Sequence, residues 1–202
     1  MSENKSASIW TPANIVTCVR VVLVPLWLLI AELARSSGAL GSGGALAWAS
    51  FLLYVLISLT DKLDGYLARS RGEVTDFGKF LDPIADKLSV VTAFLYLLEL
   101  GLVPSWAVLI VVAREFIISG LRMVVASKGV VVAASDLGKW KTATTMISIC
   151  ALLLTVTIPV GTYENYFRLV GLGSLIVALI LTAWSGADYC VKCWPYVVGK
   201  DE

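Results

Sequence analysis

Six long apolar runs, at residues 15–33, 45–60, 88–100, 106–126, 142–160 and 167–187, constrain the fold of this 202-residue chain more than any other feature. Hydrophobic residues make up 58 % of the chain and charged residues only 15 %, against about 45–50 % and about 25 % in an ordinary soluble domain. A soluble fold of this size has no interior large enough for that apolar surface, and a disordered chain needs the opposite balance. The pattern predicts an all-α integral membrane protein, a single domain over residues 1–202 with six transmembrane helices. The second and third runs are short against the about 20 residues a spanning helix needs, but the charged stretch 61–87 continues both. Residues 1–13 are polar and carry Ile9 and Trp10 near their end, which fits a short interfacial segment better than a secretory signal. Residues 36–44 (SSGALGSGG) read as a flexible connector.

Six spans place both termini on one side of the bilayer. On that side fall Lys5, Arg20, Lys62, Arg69, Arg71, Lys79, Lys87, Arg114, Arg122, Lys128, Lys139, Lys141, Lys192 and Lys200, whereas only Arg35 and Arg168 fall on the other. The excess of basic residues predicts cytoplasmic termini. A net charge of +1 hides this sorting and excludes a basic nucleic-acid binder. Cys18, Cys150, Cys190 and Cys193 are scattered through apolar sequence. Cys190 and Cys193 form a lone pair with no second pair to complete a zinc site, so they read as small apolar residues in or beside a span. Histidine is absent, so acid–base or metal chemistry must use carboxylates, Lys, Tyr or Cys. A metal held by oxygen ligands alone would be a hard cation.

Six of the fifteen acidic residues lie between Asp61 and Asp86. Asp61, Asp64, Gly65 and Ala68 share one face of a helix, and Gly78, Asp82 and Asp86 share one face of the next. Two antiparallel helices would bring four carboxylates to a seam of small residues that lets a phosphate group approach the backbone. Four like charges at a bilayer edge repel unless protonated or neutralised. Two bound divalent cations, Mg²⁺ or Mn²⁺, would neutralise them, and two-metal sites serve in-line displacement at phosphorus. The alternative is a solvated hairpin whose acids pair with Lys62, Arg69, Arg71, Lys79 and Lys87. That accounts for the charges but not for their register with the glycines.

The run Asp61-x-x-Asp64-Gly65-x-x-Ala68-Arg69, followed after eight residues by Gly78-x-x-x-Asp82-x-x-x-Asp86, resembles the signature of the CDP-alcohol phosphotransferase family at every position. The resemblance implies six spans, a cytoplasmic active site at the ends of the second and third, and a homodimer. It implies that Asp61, Asp64 and Asp82 are ligands of two divalent cations, and that Asp86 completes the metal site and is the general base. It also places Asp61, Gly65, Ala68, Arg69, Gly78 and Asp82 around the cytidine diphosphate part of a CDP-linked lipid. An acceptor hydroxyl would attack the lipid-side phosphorus, and CMP would leave.

Two further stretches, AREFIISGLR at 113–122 and GKWKT at 138–142, bear on the acceptor. With Asn14-x-x-Thr17-x-x-Arg20 and Pro25 they resemble the branch of the family that joins CDP-diacylglycerol to sn-glycerol 3-phosphate, giving phosphatidylglycerophosphate. Arg114 and Arg122 are costly in a membrane helix unless paired or facing a polar cavity. Together with Lys139 and Lys141 they could bind the phosphate of such an acceptor. Asn14, Thr17 and Arg20 could line the same pocket. Against this, Arg114 could pair with an acidic residue such as Glu115, Arg122 could be structural, and the lysines could be interfacial anchors. Inositol phosphate as acceptor is the nearest rival within the family, and the basic stretches argue against serine. A cation transporter would more often carry its acids near the midplane, with internal repeats. Neither feature is visible here.

Overall fold

The computed structural model describes residues 11–71, 76–130, 136–161 and 163–198, and the side chains at 13, 61–71, 76, 79, 136 and 137 lie outside that description. Six helices account for almost all of it: α1 Pro12–Ser36, α2 Ala45–Arg71, α3 Asp76–Glu99, α4 Ser105–Ser127, α5 Asp136–Thr157 and α6 Glu164–Val198. There is no strand among the described residues, as the apolar runs predict. Three segments, Asn14–Ser36, Gly138–Thr157 and Glu164–Val198, are long and apolar enough to cross a membrane, while the apolar part of α2, Ala45–Thr60, is shorter. Helix α4 has the length but carries Arg114, Glu115 and Arg122 along it. Of the six spans expected, three therefore meet the length and apolarity of a bilayer crossing by themselves among the described residues.

The helices fall into two compact units, Met1–Ala93 with Val156–Thr162, and Phe94–Thr155 with Tyr163–Glu202. In the first, α1 begins at Pro12, where Thr11 caps it by accepting the Asn14 amide at 3.2 Å. The expected interfacial segment 1–13 thus overlaps the helix at its end, and residues 1–10 lie outside the described residues. Ile15, Val19, Val22, Leu26, Leu29 and Leu33 form its outward stripe, whereas Asn14, Thr17, Arg20, Val24, Trp27, Ala31 and Ala34 are buried. Apolar outside and polar inside is the arrangement a lipid solvent selects, because a polar group facing hydrocarbon has nothing to bond with. Helix α1 packs on α2, with Trp27 against Tyr54 at 5.0 Å between ring centroids.

The 36–44 connector is pinned rather than flexible. Gly41 donates its amide to Val156 O at 2.7 Å and accepts from Val160 N at 2.9 Å. Gly38, Gly41 and Gly43 hold positive φ, so the glycines serve a fixed turn sequence here, not chain freedom.

In the second unit α4 packs on α6 through Ile118, Val125, Tyr189 and Cys193. Ser148 of α5 donates to the Gly171 carbonyl of α6 at 2.9 Å. A Cβ at Gly171 would come within 2.7 Å of the Leu152 side chain, so this glycine sets how closely α5 and α6 approach. Helix α6 runs well past the expected 167–187. Lys192 pairs with Asp188 one turn earlier at 2.7 Å, and Pro195 falls in the last turn, inside the helix. All four cysteines are free, with Cys193 buried and Cys190 half-buried in the helix, in keeping with small apolar residues.

Candidate active site

The face predicted for the second half of the acidic motif exists. Gly78, Asp82 and Asp86 are one turn apart along α3, and Gly78 is buried. Each acid meets a side chain of α1. Thr17 donates its hydroxyl to Asp82 Oδ1 at 2.7 Å, and Arg20 Nη1 meets Asp86 Oδ1 at 2.6 Å. The two pairs occur in the same order on both helices, so α1 and α3 run parallel there. Arg20 is 1 % exposed, but the Asp86 side chain is 51 % exposed. A buried guanidinium therefore grips a carboxylate that opens outward.

The first half of the motif lies on the last turns of α2. Asp61, Asp64, Gly65, Ala68 and Arg69 belong to that helix, and their side chains lie outside the described residues. Among the described residues no three or more of His, Cys, Asp and Glu converge. Asp82 and Asp86 offer hard oxygen donors within one turn of each other, and this chemistry fits a hard divalent cation.

Of the basic residues expected to receive an acceptor phosphate, two come together in the second unit. Arg114 Nη1 lies 3.3 Å from Glu115 Oε1, and Lys141 Nζ donates to the same oxygen. This is the ion pair weighed above for Arg114, extended to a second cation. Arg114 also reaches Ser185 of α6 at 3.5 Å, and its stem lies against Gly186, where a Cβ would stand 3.4 Å from Arg114 Cγ. Its Nε is buried with no hydrogen-bond partner among the described residues. Arg122, two turns further along α4, lies over the Tyr189 ring at 5.9 Å, which is cation–π range. Lys139 is exposed in the first turns of α5. Sequence reasoning grouped Asn14, Thr17 and Arg20 as residues that could line the acceptor pocket; in the structure Thr17 bonds Asp82 and Arg20 bonds Asp86. The available signal was a polar residue every third position on an otherwise apolar helix. Ser185 and Tyr189 of α6 had no such signal.

These features describe a helical membrane protein with a carboxylate face built on α3. The chain belongs to the CDP-alcohol phosphatidyltransferase family, whose family model matches residues 10–184. A Bacillus subtilis protein named CDP-diacylglycerol--glycerol-3-phosphate 3-phosphatidyltransferase is 40 % identical over 189 residues, covering 90 % of this chain and 94 % of its own length. A Rickettsia bellii protein of the same name is 38 % identical over 187 residues, covering 91 % and 95 %. A Mycobacterium tuberculosis protein named probable phosphatidylglycerophosphate synthase is 33 % identical over 180 residues, covering 89 % and 80 %.

Proposed function

We propose that this protein transfers the phosphatidyl group of CDP-diacylglycerol to sn-glycerol 3-phosphate, forming phosphatidylglycerophosphate and CMP. The observation that carries the reading is the pair of carboxylates one turn apart on α3, each hydrogen-bonded from α1, in a chain similar over nine-tenths of its length to enzymes named for this reaction. The acceptor's free hydroxyl oxygen forms a bond to the lipid-side phosphorus. The bond from that phosphorus to the bridging oxygen breaks, and CMP departs with the electron pair. Asp86 takes the hydroxyl proton, a role suited to a carboxylate that is held at one oxygen yet open outward.

Two divalent cations, Mg²⁺ or Mn²⁺, held by Asp61, Asp64, Asp82 and Asp86, would polarise the diphosphate and stabilise the leaving charge. Gly65, Ala68, Arg69 and Gly78 form the donor's cytidine diphosphate pocket, with Asp61 and Asp82. Arg114, Arg122, Lys139 and Lys141 receive the acceptor's phosphate, and for Arg114 and Lys141 that means leaving or sharing Glu115. The protein resides in a bacterial cell membrane, with its termini and active site on the cytoplasmic side, and acts as a homodimer. The donor's acyl chains then stay in lipid while the soluble acceptor arrives from water.

The test is CMP release by purified, lipid-reconstituted protein given CDP-diacylglycerol, Mg²⁺ and one acceptor at a time. Release with glycerol 3-phosphate is expected. Release with inositol phosphate or serine, and none with glycerol 3-phosphate, would overturn the acceptor assignment.

A further inference from the structure

Arg20 is almost fully buried in a helix whose other buried neighbours are mostly apolar or small, and a guanidinium there is costly unless its partner repays the desolvation. It donates to Asp86, and one turn earlier Thr17, 1 % exposed, donates to Asp82. We propose that α1 is the positioning template of the reacting face of α3, with Thr17 orienting Asp82 and Arg20 orienting Asp86 before substrate binds. The inference rests on the function proposed above.

An aspartate on a helix has a broad terminal torsion, so a partly exposed carboxylate turns easily. A single charge-assisted hydrogen bond from a rigidly buried donor fixes that torsion. Two such bonds, Thr17 and Arg20 being three residues apart and Asp82 and Asp86 four, lock the face as a unit. The donors sit on the buried side of α1, opposite the lipid-facing stripe of Val19, Val22 and Leu26. They are therefore held by the packing of the whole helix rather than by a loop. Partners that orient ligating or catalytic carboxylates act through geometry, and their loss typically costs about 10–100-fold in metal affinity or activity.

The experiment uses the full chain in lipid nanodiscs, with Mn²⁺ alone as a spectroscopic probe in one arm and steady-state kinetics in the other. Thr17→Val, which keeps the shape and removes the hydroxyl, is expected to weaken Mn²⁺ binding about tenfold, with Thr17→Ser within about threefold of the parent. Arg20→Ala is expected to lower kcat about 100-fold, with both KM values within about threefold. Arg20→Lys should regain at least about tenfold of that loss in kcat. Unchanged Mn²⁺ affinity and kcat in Thr17→Val would overturn the role of Thr17. A raised glycerol 3-phosphate KM at constant kcat in Arg20→Ala would make Arg20 an acceptor-binding residue and overturn its positioning role. If Arg20→Ala does not yield folded protein, Arg20→Lys and Arg20→Gln decide, with the lysine variant expected to be the faster. Should the parent protein release no CMP with glycerol 3-phosphate, the proposed acceptor fails, while the Mn²⁺ arm still tests the template.

Discussion

Glu115 is the point at which charge and stability meet in the second unit, and its removal tests that reading. Its Oε1 receives both Arg114 and Lys141, and the three side chains are only 17 %, 18 % and 12 % exposed. At the Arg114 separation of 3.3 Å, an effective dielectric of about 20 gives about 5 kcal/mol of gross attraction. Desolvation of both groups offsets most of this, so the ion pair itself contributes little net stability. Removing only the anion is different, because the desolvation cost persists while the compensation is lost, and such changes cost about 3–5 kcal/mol. Glu115→Ala should therefore destabilise the protein by about that amount in reversible unfolding from mixed detergent micelles. Lys141→Met added to Glu115→Ala should give back part of the loss, leaving a coupling of about 1–3 kcal/mol in the double-mutant cycle. A cost below about 1 kcal/mol for Glu115→Ala, or additivity within about 0.5 kcal/mol, would refute the shared-anion account.

Gly171→Ala should lower stability by about 1–3 kcal/mol, since its Cβ would lie 2.7 Å from Leu152. Gly173→Ala, where a Cβ meets nothing within 4 Å, is the control in the same thermal unfolding series and should be neutral or slightly stabilising. Asp86→Asn keeps the shape but removes the proton acceptor, and turnover should fall at least about 100-fold in the CMP-release assay. A rate near that of the parent would exclude Asp86 as the base. Arg122→Ala should raise the KM for glycerol 3-phosphate, whereas an effect confined to the CDP-lipid would move that arginine to the donor pocket.

The helical architecture was legible because apolar length is dictated by the bilayer, and the register of Gly78, Asp82 and Asp86 because a helix repeats every 3.6 residues. Partner choice was not. Arg20 and Arg114 look alike in sequence, each a cation inside an apolar run, yet one meets Asp86, 66 residues away, and the other its own neighbour. Only packing decides between such partners. The glycine-rich connector was misread for a related reason. Composition shows that the backbone can bend freely, but not that Gly41 is bonded in both directions to the chain at Val156 and Val160. Helix α6 continues past residue 187 through the Asp188–Lys192 pair and holds Pro195 within its last turn, and neither is visible as apolar length.

The central claim is that glycerol 3-phosphate accepts the phosphatidyl group on a site that needs Asp86. The most direct measurement is transfer of label from radiolabelled glycerol 3-phosphate into the lipid phase of liposomes containing CDP-diacylglycerol, Mg²⁺ and the protein. One labelled lipid should form per CMP released, and both should be lost in Asp86→Asn. CMP release without label in the lipid, or equal labelling by Asp86→Asn, would contradict it.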